Sequence, residues 1–270
     1  MAWSIQISKQ NGKLIFKDVA GFQSRSYSTF WCIQKADEKY NWGDFSEITI
    51  NTEDAERNAN HYTYSKSNGF HNLVPDFNFH AWPESGVNDY EEFVNAIDKA
   101  GLQKFEINKV GWIGNIETNF RRKQLLEIGR QNNQIFDIID MQWINTGKVF
   151  YDSTRYISTY DLAKRYSMLI DVDGFGYSGR LKHLLWSHRP ILLVDRPHKE
   201  FFFEYLKEWE HYIPVKRDLS DVIEKTLWCI NNYDKALQIA ENAYQFSKLY
   251  LTRDACYAQW NKIITLHMNK

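Results

Sequence analysis

The chain has little cysteine: Cys32, Cys229 and Cys256 are few, odd in number and far apart among 270 residues. That excludes a disulfide framework and a cysteine-built zinc site, and each is read as a small core residue. Positive charge is not in surplus either, with 33 Lys+Arg against 34 Asp+Glu. Nucleic-acid binding by phosphate neutralisation needs such a surplus, so no nucleic-acid partner is expected. No apolar run approaches the roughly 20 residues that cross a bilayer, and no transmembrane segment is expected. The opening "MAWSIQISKQNGKLIF" lacks the charged-then-apolar order of a secretory signal, so the chain reads as soluble and cytoplasmic. The eight histidines form no HExxH-like pair.

Aromatic residues, in contrast, reach 16%, with 10 Trp. Flat rings pack on the C–H faces of sugars, and they also fill ordinary cores. Composition leaves both readings open.

From about Gly101 onward, short apolar runs alternate with segments of helical period. Strands are expected at 107–114, 136–143, 166–172, 190–195 and 211–215, with helices at 120–129, 179–187, 200–206 (opened by Glu200) and from Asp218. Such alternation predicts a mainly parallel sheet covered by helices, a Rossmann-like half. The chain then ends in two helices, roughly 234–249 and 252–268. The first hundred residues show strands at 12–19 and 45–52 and a helix at 89–101, whose terminal Gly101 is read as a hinge.

Open α/β sheets bind ligands beyond the carboxyl ends of their strands, which directs attention to two turns. In "WIGNIETNFRR", Gly114 allows close backbone approach, Asn115 and Thr118 offer polar caps, and Arg121 lies on the first helical turn. In "DVDGFGYSGRLKHLL", Gly174, Gly176 and Gly179 uncover N–H groups, Tyr177 and Ser178 supply hydroxyls, and Arg180 opens a helix. Backbone N–H groups and a guanidinium together match phosphate oxygens, so two such turns on neighbouring strands suit one diphosphate. The competing reading of the second turn is a metal on Asp171 and Asp173. Alternate residues of a strand point to opposite faces, which disfavours both carboxylates on one ion. No metal and no other cofactor is expected.

The segment 166–232, with "GRLKHLL" and "EFFFEYLKEWEHYIPVKRDLSD", resembles the C-terminal half of glycosyltransferase family 90, which includes protein O-glucosyltransferases, fungal capsule xylosyltransferases and bacterial lipopolysaccharide-modifying enzymes. "GNIETNFR" resembles the family's Arg-Gly-Ser…Glu-Arg loop, Gly114 matching the Gly, Asn115 the Ser and Arg121 the last Arg, while Ile113 replaces the first Arg. "EITINTEDAER" is similar to the family's Ile-Asn-Val-Arg-Asp segment, and the match puts the family's catalytic base on Asp54, with Glu53 its rival. "YTYSKSNGFHNLVPDFNFHAWP" aligns Ser65, Lys66, Trp82 and Pro83 with further family segments.

The resemblance implies a GT-B-type α/β fold of two Rossmann-like domains facing across a cleft. An acceptor-side domain is expected over 1–102, a UDP-sugar-binding domain over 103–250, and a C-terminal helix over 251–270 that packs back on the first domain. It implies inverting, metal-independent transfer from a UDP-sugar, xylose or glucose favoured, to a hydroxyl of a glycan or glycolipid acceptor. Arg121 and Arg180 stabilise the leaving diphosphate, Asp54 takes the acceptor proton, and Glu200 is a candidate for the ribose hydroxyls, with a plain helix-end charge as the alternative. Rival readings are an inactive nucleotide-sugar or glycan-binding module and a nucleotide-sugar hydrolase.

Overall fold

The computed structural model describes residues 3–145, 149–152 and 157–269. The chain divides into two compact units: unit 1 is Met1–Glu91, Pro197–Tyr205 and Leu249–Lys270, and unit 2 is Glu92–Arg196 and Leu206–Lys248.

Unit 1 is built on a four-stranded sheet. Strands β1 (Ser4–Gln10), β2 (Lys13–Ala20), β3 (Phe45–Asn51) and β4 (Tyr62–Thr63) stand in the order β2-β1-β3-β4. The β1–β2 and β1–β3 pairs are antiparallel and only β3–β4 is parallel. The α/β class is as expected, but this sheet is not the parallel one of a Rossmann-like domain. A hairpin turn at Asn11 and Gly12, both with positive φ, reverses β1 into β2 directly and leaves no room for a crossover helix.

Helix α1 (Gln23–Tyr40) is absent from the sequence reading because its buried face is partly polar: Arg25, Ser26, Ser28 and Thr29 lie inside with Cys32, Ile33 and Ala36. Helix α8 (Arg253–Met268) packs on it, capped by the Thr252 side chain, which accepts from the Ala255 N–H. Trp42 Nε1 donates to Asn261 Oδ1 across this packing at 2.8 Å.

Unit 2 carries the parallel sheet. Its strands are β5 (Ile107–Gly114), β6 (Phe136–Asp140), β9 (Tyr166–Asp171), β10 (Ile191–Val194) and β11 (Ile213–Val215), in the order β11-β10-β9-β5-β6 and all parallel. A separate antiparallel pair, β7 (Gln142–Asn145) and β8 (Val149–Asp152), follows β6, so the run expected at 136–143 is split. The sheet strands read as near-continuous apolar runs because helices cover them; β9 is buried along its whole length. Val110, Trp112, Met168, Ile170, Leu192 and Val194 form one core with Leu125 and Leu126 of α3 (Phe120–Gln131) and with Val222 and Cys229 of α6 (Val222–Asn231).

Three local expectations change. The helix expected at 179–187 is a single α turn, α5 (Leu181–Leu184). The helix expected from Asp218 starts at Val222, because Leu219 takes a left-handed φ of 61°. Helix α2 (Tyr90–Gly101) ends on a close-packed glycine, not a hinge: a Cβ on Gly101 would lie 1.7 Å from the Ser187 carbonyl oxygen. The remaining helices of unit 2 are α4 (Thr159–Arg165) and α7 (Tyr233–Tyr250), the last two residues of the second belonging to unit 1.

Candidate functional site

The order of strands in unit 2 locates the end of the sheet where open α/β sheets generally bind ligands. From β5 the chain passes to β6 on one side, then crosses to β9 on the other and continues outward to β10 and β11. The direction of winding therefore reverses between β5 and β9, and in open α/β sheets that reversal opens a crevice at the carboxyl ends of the two strands. The two glycine- and arginine-bearing turns of the sequence reading leave the sheet at these two strand ends.

The first turn is shaped by packing. A Cβ on Gly114 would sit 2.6 Å from the Trp112 ring, which is buried, so glycine is required for the indole to fold under the strand end. Asn115 Oδ1 accepts from the Glu117 N–H at 2.8 Å, and Thr118 Oγ1 donates to the Asn115 carbonyl at 3.0 Å. Both expected caps are thus used within the turn. Asn119, which the sequence reading passed over, caps α3 by accepting from the Arg121 N–H at 3.0 Å. Its Nδ2 donates to Asp173 Oδ1 at 3.1 Å and to the Gly174 carbonyl at 3.0 Å.

The second turn is tied to the first through charge. Arg121 Nη2 meets Asp173 Oδ2 at 2.8 Å. Arg122 Nε and Nη2 donate to the carbonyls of Asp173 and Val172 at 2.9 and 3.1 Å, and its Nη1 donates to the Asn115 carbonyl at 3.1 Å. The same guanidinium lies over the Trp112 ring, 5.4 Å from its centroid. Arg180 Nη1 donates to the Ile113 carbonyl at 2.6 Å. Asp171 accepts from Ser178 Oγ at 2.8 Å and from Arg196 Nη1 at 2.7 Å.

Arg122 and Arg196 were not singled out in the sequence. Arg122 was legible only as a neighbour of Arg121, and Arg196 only as a charge following "ILLVD".

The two aspartates of the metal reading therefore face different cations, Asp171 toward Arg196 and Asp173 toward Arg121, both buried. Among the described residues no group of three or more His, Cys, Asp and Glu is placed to hold a metal ion. Four guanidinium groups, those of Arg121, Arg122, Arg180 and Arg196, share this cluster with two carboxylates. The excess positive charge is felt locally: burial, then the charge of Arg180, bring Arg122 down to about 10. Burial, with Lys182 and Arg180 beside it, holds His183 well below the usual imidazole range. Lys182 is itself buried, with its Nζ over the Tyr177 ring at 5.5 Å and 3.3 Å from the Gly179 carbonyl oxygen, to which it donates. Gly176, Tyr177 and Ser178 are buried and Gly179 and Arg180 half-buried, whereas Phe175 projects into solvent, 75% exposed.

Unit 1 holds the other predicted residues. Asp54 follows β3 with its side chain one-third exposed, and its Oδ1 accepts from Arg25 Nη1 at 2.8 Å. Arg25 also donates to the Thr52 carbonyl at 3.0 Å and lies 4.8 Å from the Phe77 ring centroid and 5.6 Å from that of Phe22. Ser65 Oγ donates to the Asp54 carbonyl at 2.7 Å, so Arg25 and Ser65 together fix the segment that presents Asp54. Nothing in the local sequence marks Arg25, because the strand end and the helix that meet there are about 30 residues apart.

Glu53 accepts from the Trp3 N–H at 3.2 Å and is paired with Arg57, which leaves it more engaged than Asp54. Lys66 is buried with its Nζ 2.9 Å from His71 Nε2, and its backbone bridges to Lys199. Trp82 is half-buried, edge-on to Phe77 at 5.4 Å, and Pro83 starts a 3-10 turn after it. Glu200 is 2% exposed and precedes a 3-10 turn, Phe201–Glu204, in place of the expected helix.

A family model, glycosyl transferase family 90, matches residues 22–268. The chain belongs to this family. Among curated relatives, protein O-glucosyltransferase 2 of Danio rerio is 29% identical over 161 residues, covering 58% of this chain and 32% of that protein. Human protein O-glucosyltransferase 1 is 26% identical over 218 residues, covering 76% of this chain and 55% of that protein. The chain thus spans from about a third to about half the length of the family 90 relatives it matches. Among solved structures, a crystal structure of TarM is 16% identical at a TM-score of 0.44, over 60% of this chain and 36% of that one.

Proposed function

We propose that the chain is a UDP-sugar-dependent glycosyltransferase that moves a sugar, xylose or glucose favoured, to a hydroxyl of a glycan or glycolipid acceptor, with inversion at the anomeric carbon. The observation that carries this reading is the surplus of guanidinium over carboxylate at the winding reversal of the parallel sheet. A departing nucleoside diphosphate carries negative charge that must be met, and fixed cations in a partly dry site meet it without reorganising. Arg121 and Arg180 are the charges offered to the diphosphate, which makes a divalent metal unnecessary to the proposal. Arg122 holds the two turns in register.

The acceptor hydroxyl loses its proton to Asp54, held by Arg25 and Ser65. Of the two sugars, glucose has the support of the names of the relatives in the family. A cytoplasmic location is part of the same proposal, supported by three free, buried cysteines. Among the described residues, no helix is long and apolar enough to cross a membrane.

The pairing of Asp54 with Arg25 favours a second reading, a module that binds nucleotide sugar without turnover. The test is to incubate the purified protein with UDP-glucose and UDP-xylose, with and without glycan acceptors. Acceptor-dependent release of UDP supports the transferase. Binding in a thermal-shift screen without release supports the module, and acceptor-independent release indicates a hydrolase.

A further inference from the structure

We infer that the rings of Trp3 and Phe22 form a subsite for a sugar residue of the acceptor, laid against Asp54. The inference rests on the reading of Asp54 as the proton acceptor and names what lies beside it. Trp3 is joined to the segment that presents Asp54: its carbonyl accepts from the Thr52 N–H at 3.1 Å, and its N–H donates to Glu53 Oε1 at 3.2 Å. Gly21, at a φ of 127° between β2 and α1, lets the indole come close, since a Cβ there would lie 3.0 Å from Trp3 Cβ and 3.3 Å from Thr52 Oγ1. Phe22, the N-cap residue of α1, meets that indole edge-on, with ring centroids 4.7 Å apart. Trp3 precedes the residues matched by the family model and Phe22 is the first of them, so half of the pair stands outside the matched region.

Arg25 ties these rings to the carboxylate. Its guanidinium carbon lies 5.6 Å from the Phe22 centroid and 5.9 Å from that of Trp3, while its Nη1 donates to Asp54 Oδ1 at 2.8 Å. One buried cation therefore touches both the proton acceptor and the aromatic pair. Phe22 is 52% exposed, and Asp54 Oδ2 accepts no hydrogen bond from any described residue. The surface left open is thus an aromatic ring next to one carboxylate oxygen. A ligand that is only apolar would strip water from that oxygen, and an anion would be repelled by it. A pyranose suits both halves, because it lays C–H groups on the ring and gives an O–H to the oxygen. A serine side chain brings the hydroxyl without the C–H face.

The experiment is saturation-transfer NMR on the full chain with the methyl α- and β-glycosides of glucose, galactose, mannose and xylose, beside glycerol and a serine-containing peptide. At least one glycoside should bind the wild type, with saturation strongest on the C–H protons of one ring face, and glycerol, which has hydroxyls but no ring, should not. Phe22→Ala and Trp3→Ala should weaken that glycoside about three- to tenfold. Phe22→Leu, which keeps apolar bulk against Trp3 should the alanine variant not fold, should weaken it likewise, and Phe22→Tyr, which keeps the ring, should restore it. UDP affinity should stay at the wild-type value in all these variants. A wild type that binds no glycoside overturns the assignment, as does glycoside binding indifferent to both Phe22 and Trp3, or peptide binding that depends on Phe22 in place of glycoside binding. Asp54→Asn separates this inference from the reading it rests on: glycoside bound through Phe22, with transfer undiminished in Asp54→Asn, removes Asp54 as the base and leaves the aromatic subsite.

Discussion

Arg180 donates to the carbonyl of Ile113 at 2.6 Å, so the cation of the second turn is anchored on the strand that leads into the first. It is the backbone of Ile113, not its side chain, that meets the guanidinium. Together with Arg122, the contact makes two turns about 60 residues apart into one cationic surface.

Arg122 is the first test of that unity. Arg122→Met removes three donors from backbone carbonyls, those of buried Val172 and Asp173 and of half-buried Asn115, while keeping much of the side-chain volume over Trp112. It should lower stability by about 2–4 kcal/mol, and Arg122→Lys should recover only part, because an ammonium cannot reproduce the planar fork. Denaturant unfolding of the three proteins measures this directly.

Gly114 tests the packing beneath the turn. With a Cβ placed 2.6 Å from a buried indole, Gly114→Ala must displace Trp112, at an expected cost of about 1–3 kcal/mol. The near-ultraviolet tryptophan signal should change together with the unfolding midpoint. An unchanged midpoint would mean that the turn yields to the added methyl without strain.

His183 gives the fold a pH signature. Its folded-state pKa is depressed by burial, while the unfolded chain takes a proton near the ordinary value of 6.5. Below that pH the unfolded state binds the proton and the folded state does not, so stability falls as pH drops from about 6.5 toward the lower folded value, by at most about 1.4 kcal/mol per pH unit. Above 6.5 both states are neutral and the contribution is flat. His183→Gln should reduce the slope of stability between pH 6.5 and 5 relative to the wild type.

How much of this was legible follows from where the information lies. The parallel sheet was readable because strands such as β9, buried on every residue, appear as apolar runs. Helix α1 was not, since Arg25, Ser26, Ser28 and Thr29 occupy its inner face and erase the apolar stripe. The glycine and arginine turns could be found from residue types alone. The partners of Arg121, Arg180 and Asp54 could not, because each lies across the fold: Asp173, Ile113 and Arg25 are brought there by strand order and helix packing. Adjacent arginines illustrate the limit, for nothing in "NFRR" says that Arg122 is the buried brace and Arg121 the ion-paired neighbour.

Asp54 carries the proposed proton transfer. Asp54→Asn keeps the shape and should leave UDP affinity near that of the wild type while transfer falls about 10²–10⁴-fold. Glu53→Gln should retain activity, given the engagement of Glu53 with Trp3 and Arg57. The reverse pattern would move the base to Glu53, and full activity in both variants would place it elsewhere.

Transfer should also survive a chelator. Loss of activity in EDTA, restored by Mn²⁺, would require that Asp171 or Asp173 leave its arginine for a metal ion, contrary to the ion pairs at 2.7 and 2.8 Å.

The central claim is that the arginine-rich winding reversal of unit 2 holds a nucleoside diphosphate, and calorimetric titration of UDP into the wild-type chain, Arg121→Ala and Arg180→Ala tests it most directly. On the proposed reading each substitution removes a charge-assisted contact worth about 1.5–3 kcal/mol, so each should weaken UDP about ten- to a hundredfold and leave uridine, which has no phosphate, unaffected. Unchanged UDP affinity in both variants would contradict the account.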